Sequence, residues 1–84
     1  MQLLAHYTVA DYAAFKTAFD SDAEDRGNAT LNLLQLWRES GTSAWALYSV
    51  GDQGAARTYL DGAAGVFNSR AGVTATAFHF VETA

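Results

Sequence analysis

The chain contains no cysteine and no proline, and only five of its 84 residues are basic. Without cysteine there is no disulfide, no thiolate metal site and no thiol nucleophile. Without proline, turns fall to Gly, Asn, Asp and Ser, so short loops are expected. The shortage of cations leaves a formal net charge of −4. Nucleic acid or an anionic membrane would require a basic patch, whereas Lys16, Arg26, Arg38, Arg57 and Arg70 are scattered. No nucleic-acid partner and no membrane partner is therefore expected. No apolar run approaches the roughly 20 residues of a membrane span. Met1 leads directly into the apolar stretch from Leu3 with no basic n-region, which reads as a cytoplasmic protein. The length predicts one domain over residues 1–84, with a modest core that gains from oligomerisation.

What is present in excess is apolar surface in the strands. Leu31, Leu33, Leu34, Leu36 and Trp37 form one run, and Ala44, Trp45, Ala46, Leu47, Tyr48 and Val50 the next. A half-exposed strand alternates apolar and polar residues. These runs are apolar on both faces. Two helices in so short a chain cover one face of a sheet, so the second face needs a second copy of the chain. A homodimer is expected.

The spacing predicts the order β-α-β-β-α-β. Gln2 to Val9 reads as a strand. Asp11 is placed to cap a helix in which Tyr12, Phe15, Phe19 and Ala23 share a face, with Lys16 and Asp20 paired four apart. Arg26-Gly27-Asn28 ends it, with Gly27 expected in the left-handed conformation. Leu31–Ser40 and Ala44–Val50 read as a hairpin around Gly41-Thr42-Ser43. Asp52 caps a second helix carrying Ala56, Tyr59, Leu60 and Ala63. Asp61-Gly62 interrupts it, and a further short turn of helix carries Val66 and Phe67. Thr74–Val81 closes the chain as a strand. This is the split βαβ, ferredoxin-like α+β arrangement, with strand order 4-1-3-2 in one antiparallel sheet and the helices on one side.

With the elements placed, Val9-Ala10-Asp11-Tyr12, Phe15-Lys16 and Phe19-Asp20 resemble the start of small proteins of the dimeric α+β barrel superfamily. So do the strand ending in Trp37-Arg38, the Asp52-led helix with Ala55-Ala56-Arg57, and the closing aromatic strand. The resemblance spans nearly the whole chain and is nearest to the antibiotic-biosynthesis-monooxygenase-like and cyclase-like members. It implies a dimeric α/β barrel with facing sheets. It also implies a ligand cavity, either between each sheet and its helices or between sheet and partner. Its functional implication is a small-molecule-binding protein resembling cofactor-independent monooxygenases or polyketide cyclases. No cofactor is then needed.

His6 and His79 are the candidate catalytic residues, as a general base or a pair binding an acidic substrate. They are the only histidines, both on strands; on neighbouring first and fourth strands, His6 is expected to pair near Phe78 to Phe80. A satisfied place at the sheet margin is their structural alternative. Tyr7, Trp37 and Tyr48 are candidates for holding a planar aromatic or polyketide-like substrate, with Trp45 beside them, and Arg38 for reaching a substrate oxygen. Core, interface and an ion pair with Glu39 are the competing roles. Asp20, Asp22, Glu24 and Asp25 lack the Gly and terminal Glu of a calcium loop and read as a solvated helix end. Two strand histidines without cysteine make no zinc site, so no metal is expected. Two functions stand side by side: an enzyme of the kind the resemblance implies, and a non-enzymatic dimeric binding or interaction module.

Overall fold

In the first strand, β1 (Gln2–Val9), Leu3, Ala5, Tyr7 and Val9 are buried while Gln2, Leu4, His6 and Thr8 point the other way. That period of two is what a strand with one face on a core requires. The computed structural model describes residues 1–84. After β1 come α1 (Tyr12–Ser21), α2 (Ala23–Asn28), β2 (Leu31–Ser40) and β3 (Ser43–Val50). The chain continues through α3 (Gln53–Asp61), α4 (Ala63–Ala71) and β4 (Val73–Val81). The four strands form one antiparallel sheet in the order β2-β3-β1-β4. The expected α+β, ferredoxin-like fold is thus the one observed.

Both expected caps form. Asp11 Oδ2 accepts from the Ala14 backbone N–H at 3.0 Å and Asp52 Oδ1 from that of Ala55 at 3.2 Å, each satisfying a helix-start donor. Lys16 and Asp20 pair at 2.6 Å. The helix ends differ from expectation. Asp22 breaks the first helix into α1 and α2, and Gly27 lies within α2. The left-handed residue comes later, at Thr30 with φ 64°. Its hydroxyl repays the strain by accepting from the Asp52 backbone N–H at 2.8 Å. The other left-handed residue is Gly72, φ 71°, which ends α4. That helix is nine residues long, more than the single turn expected.

The helices pack on one face of the sheet. Phe15 and Phe19 of α1 and Phe67 of α4 meet Leu3, Ala5 and Tyr7 of β1 and Ala44, Ala46 and Tyr48 of β3 in one buried cluster. The small residues opposite one another, Ala5 and Ala46, make room for the rings above them. No element of the chain covers the other face. There Trp37 is 45 % exposed and Leu34 50 %. β2, the edge strand, carries two register shifts, between Leu33 and Gln35 and between Arg38 and Ser40. Each leaves one residue, Leu34 and Glu39, outside the ladder, as a β-bulge does. No helix is long and apolar enough to cross a membrane.

Candidate functional site

The open face of the sheet brings together most of the side chains with chemistry. The registers put Trp37, Trp45, His6 and Ala77 in one row across all four strands, and Gln35, Leu47, Leu4 and His79 in the next. His6 pairs with Ala77, and Leu4 with His79. The sequence expectation, His6 near Phe78 to Phe80, was therefore displaced along the strand. The two histidines still share a face, because the displacement preserves the side-chain alternation.

His6 is half-buried against Trp45, with ring centroids 4.4 Å apart. Its Nε2 lies 2.7 Å from the Ser43 hydroxyl oxygen. Ser43 in turn donates to Glu39 Oε1 at 2.7 Å, and the Trp45 indole N–H donates to the same oxygen at 2.8 Å. A carboxylate only accepts, so the Ser43 proton belongs to Glu39 and the Ser43 oxygen accepts from His6 Nε2–H. This assignment leaves Nδ1 as the basic nitrogen of the neutral ring. The Glu39 carboxylate is 3.9 Å from His6 Nε2. Its pKa is held below the usual glutamate value, first by the Ser43 hydrogen bond and then by that of Trp45. Sequence reasoning gave neither Ser43 nor Glu39 a place beside His6. Glu39 reaches the cluster from the bulge, and strict alternation along β2 gives no sign of that.

Trp37 stands in the same row and is exposed, whereas His79 is exposed in the neighbouring row. Arg38 points to the helix side of the sheet, where its guanidinium lies 5.3 Å from the Tyr12 ring. Tyr7 and Tyr48 lie on the covered face, both buried, with their hydroxyls 2.9 Å apart. Burial pushes both phenols' pKa values up, Tyr48's strongly. The six sequence candidates are therefore divided between the two faces of the sheet.

A second polar cluster lies under the helices. Asp22, expected in solvent, is only 4 % exposed, and Arg26 only 6 %. The solvated-end reading holds for Asp20, Glu24 and Asp25, which are exposed, and fails at Asp22, where the helix break turns this residue inward together with Arg26. The Tyr59 hydroxyl donates to Asp22 Oδ2. Burial and this carboxylate together push the Tyr59 pKa well up. The Arg26 guanidinium carbon lies over the Phe19 ring, 3.7 Å from its centre. Its Nη1 is 3.7 Å from Asp22 Oδ2, too far for a hydrogen bond, and has no hydrogen-bond partner. Above this cluster an open groove of about 640 Å³ runs between α2 and α3, with Tyr59, Thr58, Ala29, Asn28 and Asp25 in its walls.

No protein-family model matches the chain, and no curated protein matches it. Among solved structures, an uncharacterized NIPSNAP domain protein from Burkholderia xenovorans superposes with TM-score 0.65 at 15 % identity, over 100 % of this chain and 95 % of that one. The C-terminal domain of the MgtC protein from Mycobacterium tuberculosis gives 0.63 at 12 % identity, over 94 % and 86 %. The likeness is one of fold. At these identities the same backbone supports unrelated chemistry, so function rests on the site itself.

Proposed function

We propose that the chain is a homodimeric small-molecule-binding protein resembling the cofactor-independent monooxygenases and polyketide cyclases of the dimeric α+β barrel superfamily. Its ligand is a planar aromatic or polyketide-like molecule held at the open sheet face. The observation that carries this reading is the His6–Ser43–Glu39 chain standing beside Trp37 and Trp45 on a face that no other element covers. Exposed Trp37 and Leu34 on one edge strand, Leu47 and Leu4 on the two central strands and Val81 on the opposite edge strand make an apolar surface that a monomer would leave in water. A second copy of the same sheet face buries it, with Glu39 at the edge strand keeping its hydrogen bonds from Ser43 and Trp45.

The chemistry follows from the hydrogen bonds. A phenol or an activated C–H of the ligand, stacked on Trp37, gives its proton to His6 Nδ1. The electron pair stays on the ligand as phenolate or enolate. The imidazolium that forms keeps its Nε2–H on Ser43, with the Glu39 carboxylate 3.9 Å away. Covering by the partner sheet removes water and strengthens each of these interactions. Sedimentation at low micromolar concentration tests the assembly, and about twice the chain mass is expected. Binding of a dihydroxynaphthalene, followed by quenching of tryptophan fluorescence, tests the site. His6→Gln is expected to leave the dimer intact and remove the shift of the bound probe toward its ionised spectrum. A monodisperse monomer, or an unchanged probe spectrum with His6→Gln, refutes the reading.

The alternative, a non-enzymatic dimeric binding or interaction module, is favoured by the interior. Tyr7 and Tyr48 satisfy each other within a packed core, so the space between sheet and helices holds no ready-made cavity for a polycyclic substrate. The probe experiment separates the two, since a module predicts no ionisation of the ligand.

A further inference from the structure

We propose that in the homodimer each Glu39 carboxylate accepts a hydrogen bond from the partner's His79, about a two-fold axis that runs diagonally across the open sheet face. The inference rests on the homodimer read above, and it adds a residue of the second copy to the His6–Ser43–Glu39 site. The first support is the carboxylate itself. Ser43 and Trp45 both donate to Oε1, and no group of the same subunit donates to Oε2. The lowered pKa keeps Glu39 ionised at neutral pH. In a lone chain water serves Oε2, since the side chain is 58 % exposed. A covering sheet removes that water, and a carboxylate taken out of water needs a partner.

The second support is what the open face can offer such a group. It carries no Lys and no Arg: Lys16, Arg26, Arg57 and Arg70 stand on helices, and Arg38 points to the helix side of the sheet. The titratable side chains on the open face of the four strands are Glu39, His6 and His79. His6 already uses its Nε2–H on Ser43. His79 is exposed, and neither ring nitrogen has a partner in its own subunit. An imidazole N–H donates whether the ring is neutral or charged.

The third support is placement. Glu39 is on edge strand β2, past the Trp37 row on the Ser43 side, and His79 is on the opposite edge strand, β4, in the Leu4 row. The two stand at opposite corners of the face. A two-fold axis lying in the face along the other diagonal exchanges these corners and makes the contact twice. Leu34, bulged out of β2 and 50 % exposed, lies at one end of that axis and meets its own copy. At the β4 end Ala75 and Ala77 are small enough for close approach. The two sheets then cross near a right angle, one of the two ordinary sheet packings. An axis along the strands would set Glu39 against the partner's Ala75, and an axis across them against the partner's Gln35. The remaining diagonal would oppose the two Glu39 carboxylates.

The chain has no cysteine, so single cysteines report the contact directly. Chains carrying Glu39→Cys are mixed in turn with chains carrying His79→Cys, Ala75→Cys or Gln35→Cys and treated with bismaleimidoethane. Because each chain holds one thiol, every cross-link joins two subunits. A covalent dimer is expected from the Glu39→Cys and His79→Cys mixture, and far less from the other two mixtures or from Glu39→Cys alone. Sedimentation equilibrium supplies the second reading. His79→Ala is expected to weaken the dimer about a hundredfold, tenfold for each of two equivalent hydrogen bonds to a charged group. A dimer that cross-links best through Ala75→Cys, through Gln35→Cys or between two Glu39→Cys chains overturns the pairing. So does a dimer with no cross-link, or one whose affinity His79→Ala leaves unchanged. In each of these cases the homodimer itself still stands. A monodisperse monomer of the unmodified chain overturns the homodimer, and the pairing with it.

Discussion

Replacing Phe19 by alanine tests the core and the buried polar cluster together. Phe19 is 1 % exposed. Its ring lies 5.4 Å from Phe15, 6.3 Å from Phe67 and 6.4 Å from Tyr7, centroid to centroid. Loss of a fully buried Phe ring costs about 3–5 kcal/mol through lost transfer energy and the cavity left behind. The upper half of that range is expected, because the ring also supports the Arg26 guanidinium at 3.7 Å, and a desolvated cation–π contact adds up to about 2 kcal/mol. A domain of this size has a total stability of about 4–13 kcal/mol. Phe19→Ala therefore removes a large share of it. Urea unfolding followed by far-UV circular dichroism is the assay, run at one fixed protein concentration because association shifts the midpoint. With a slope of about 1 kcal/mol per molar urea, the midpoint should fall by roughly 4–5 M, or the variant should be unfolded in buffer. Phe19→Leu, which keeps most of the volume, should lose far less. A midpoint shift under about 0.5 M for Phe19→Ala would mean that α1 does not pack its Phe15–Phe19 face on the sheet, and the description of the core would fail with it.

The raised phenols predict alkaline behaviour: burial raises Tyr7, Tyr48 and Tyr59 in the folded state. Their contribution to stability is complete below the ordinary phenol value near 10 and is lost as pH rises through the folded values. Ultraviolet titration should show these phenolates appearing together with unfolding, and early reversible ionisation would refute their burial. Glu39 is shifted the other way, so what it contributes is present at neutral pH and is lost as pH falls through its lowered value. A side-chain carbon titration by NMR should find its midpoint below the usual glutamate range. Ser43→Ala should raise that midpoint, and no change would remove the hydroxyl from the cluster. Gly72→Ala places a side chain at φ 71° and should cost about 1–2 kcal/mol, with no loss expected if the helix ends otherwise. Trp37→Ser should leave the folded content of each chain intact while moving the sedimentation boundary toward the monomer, and an unmoved boundary would take Trp37 out of the interface.

The sequence by itself determined the fold. The alternation in Leu3–Val9, the helical spacing of Phe15 and Phe19, the caps at Asp11 and Asp52 and the turn at Gly41 each act over a few residues, so each is legible from local order. The break at Asp61-Gly62 was legible for the same reason. The sites were decided by tertiary structure, because each depends on contacts between residues far apart in the chain. His6, Ser43 and Glu39 meet only through the pairing of β1 with β3 and of β3 with β2, and Glu39 joins them because a bulge puts it outside the β2 ladder. Tyr7 and Tyr48 have the same residue type as a pocket lining. Strand parity sent them to the covered face instead, where each hydroxyl meets the other. The acidic run from Asp20 to Asp25 has a solvent-facing composition, yet one helix break turned Asp22 and Arg26 inward to Tyr59, a residue of α3. Local propensity sets which elements form. Which polar groups end up sharing a low-dielectric environment is fixed only when those elements pack.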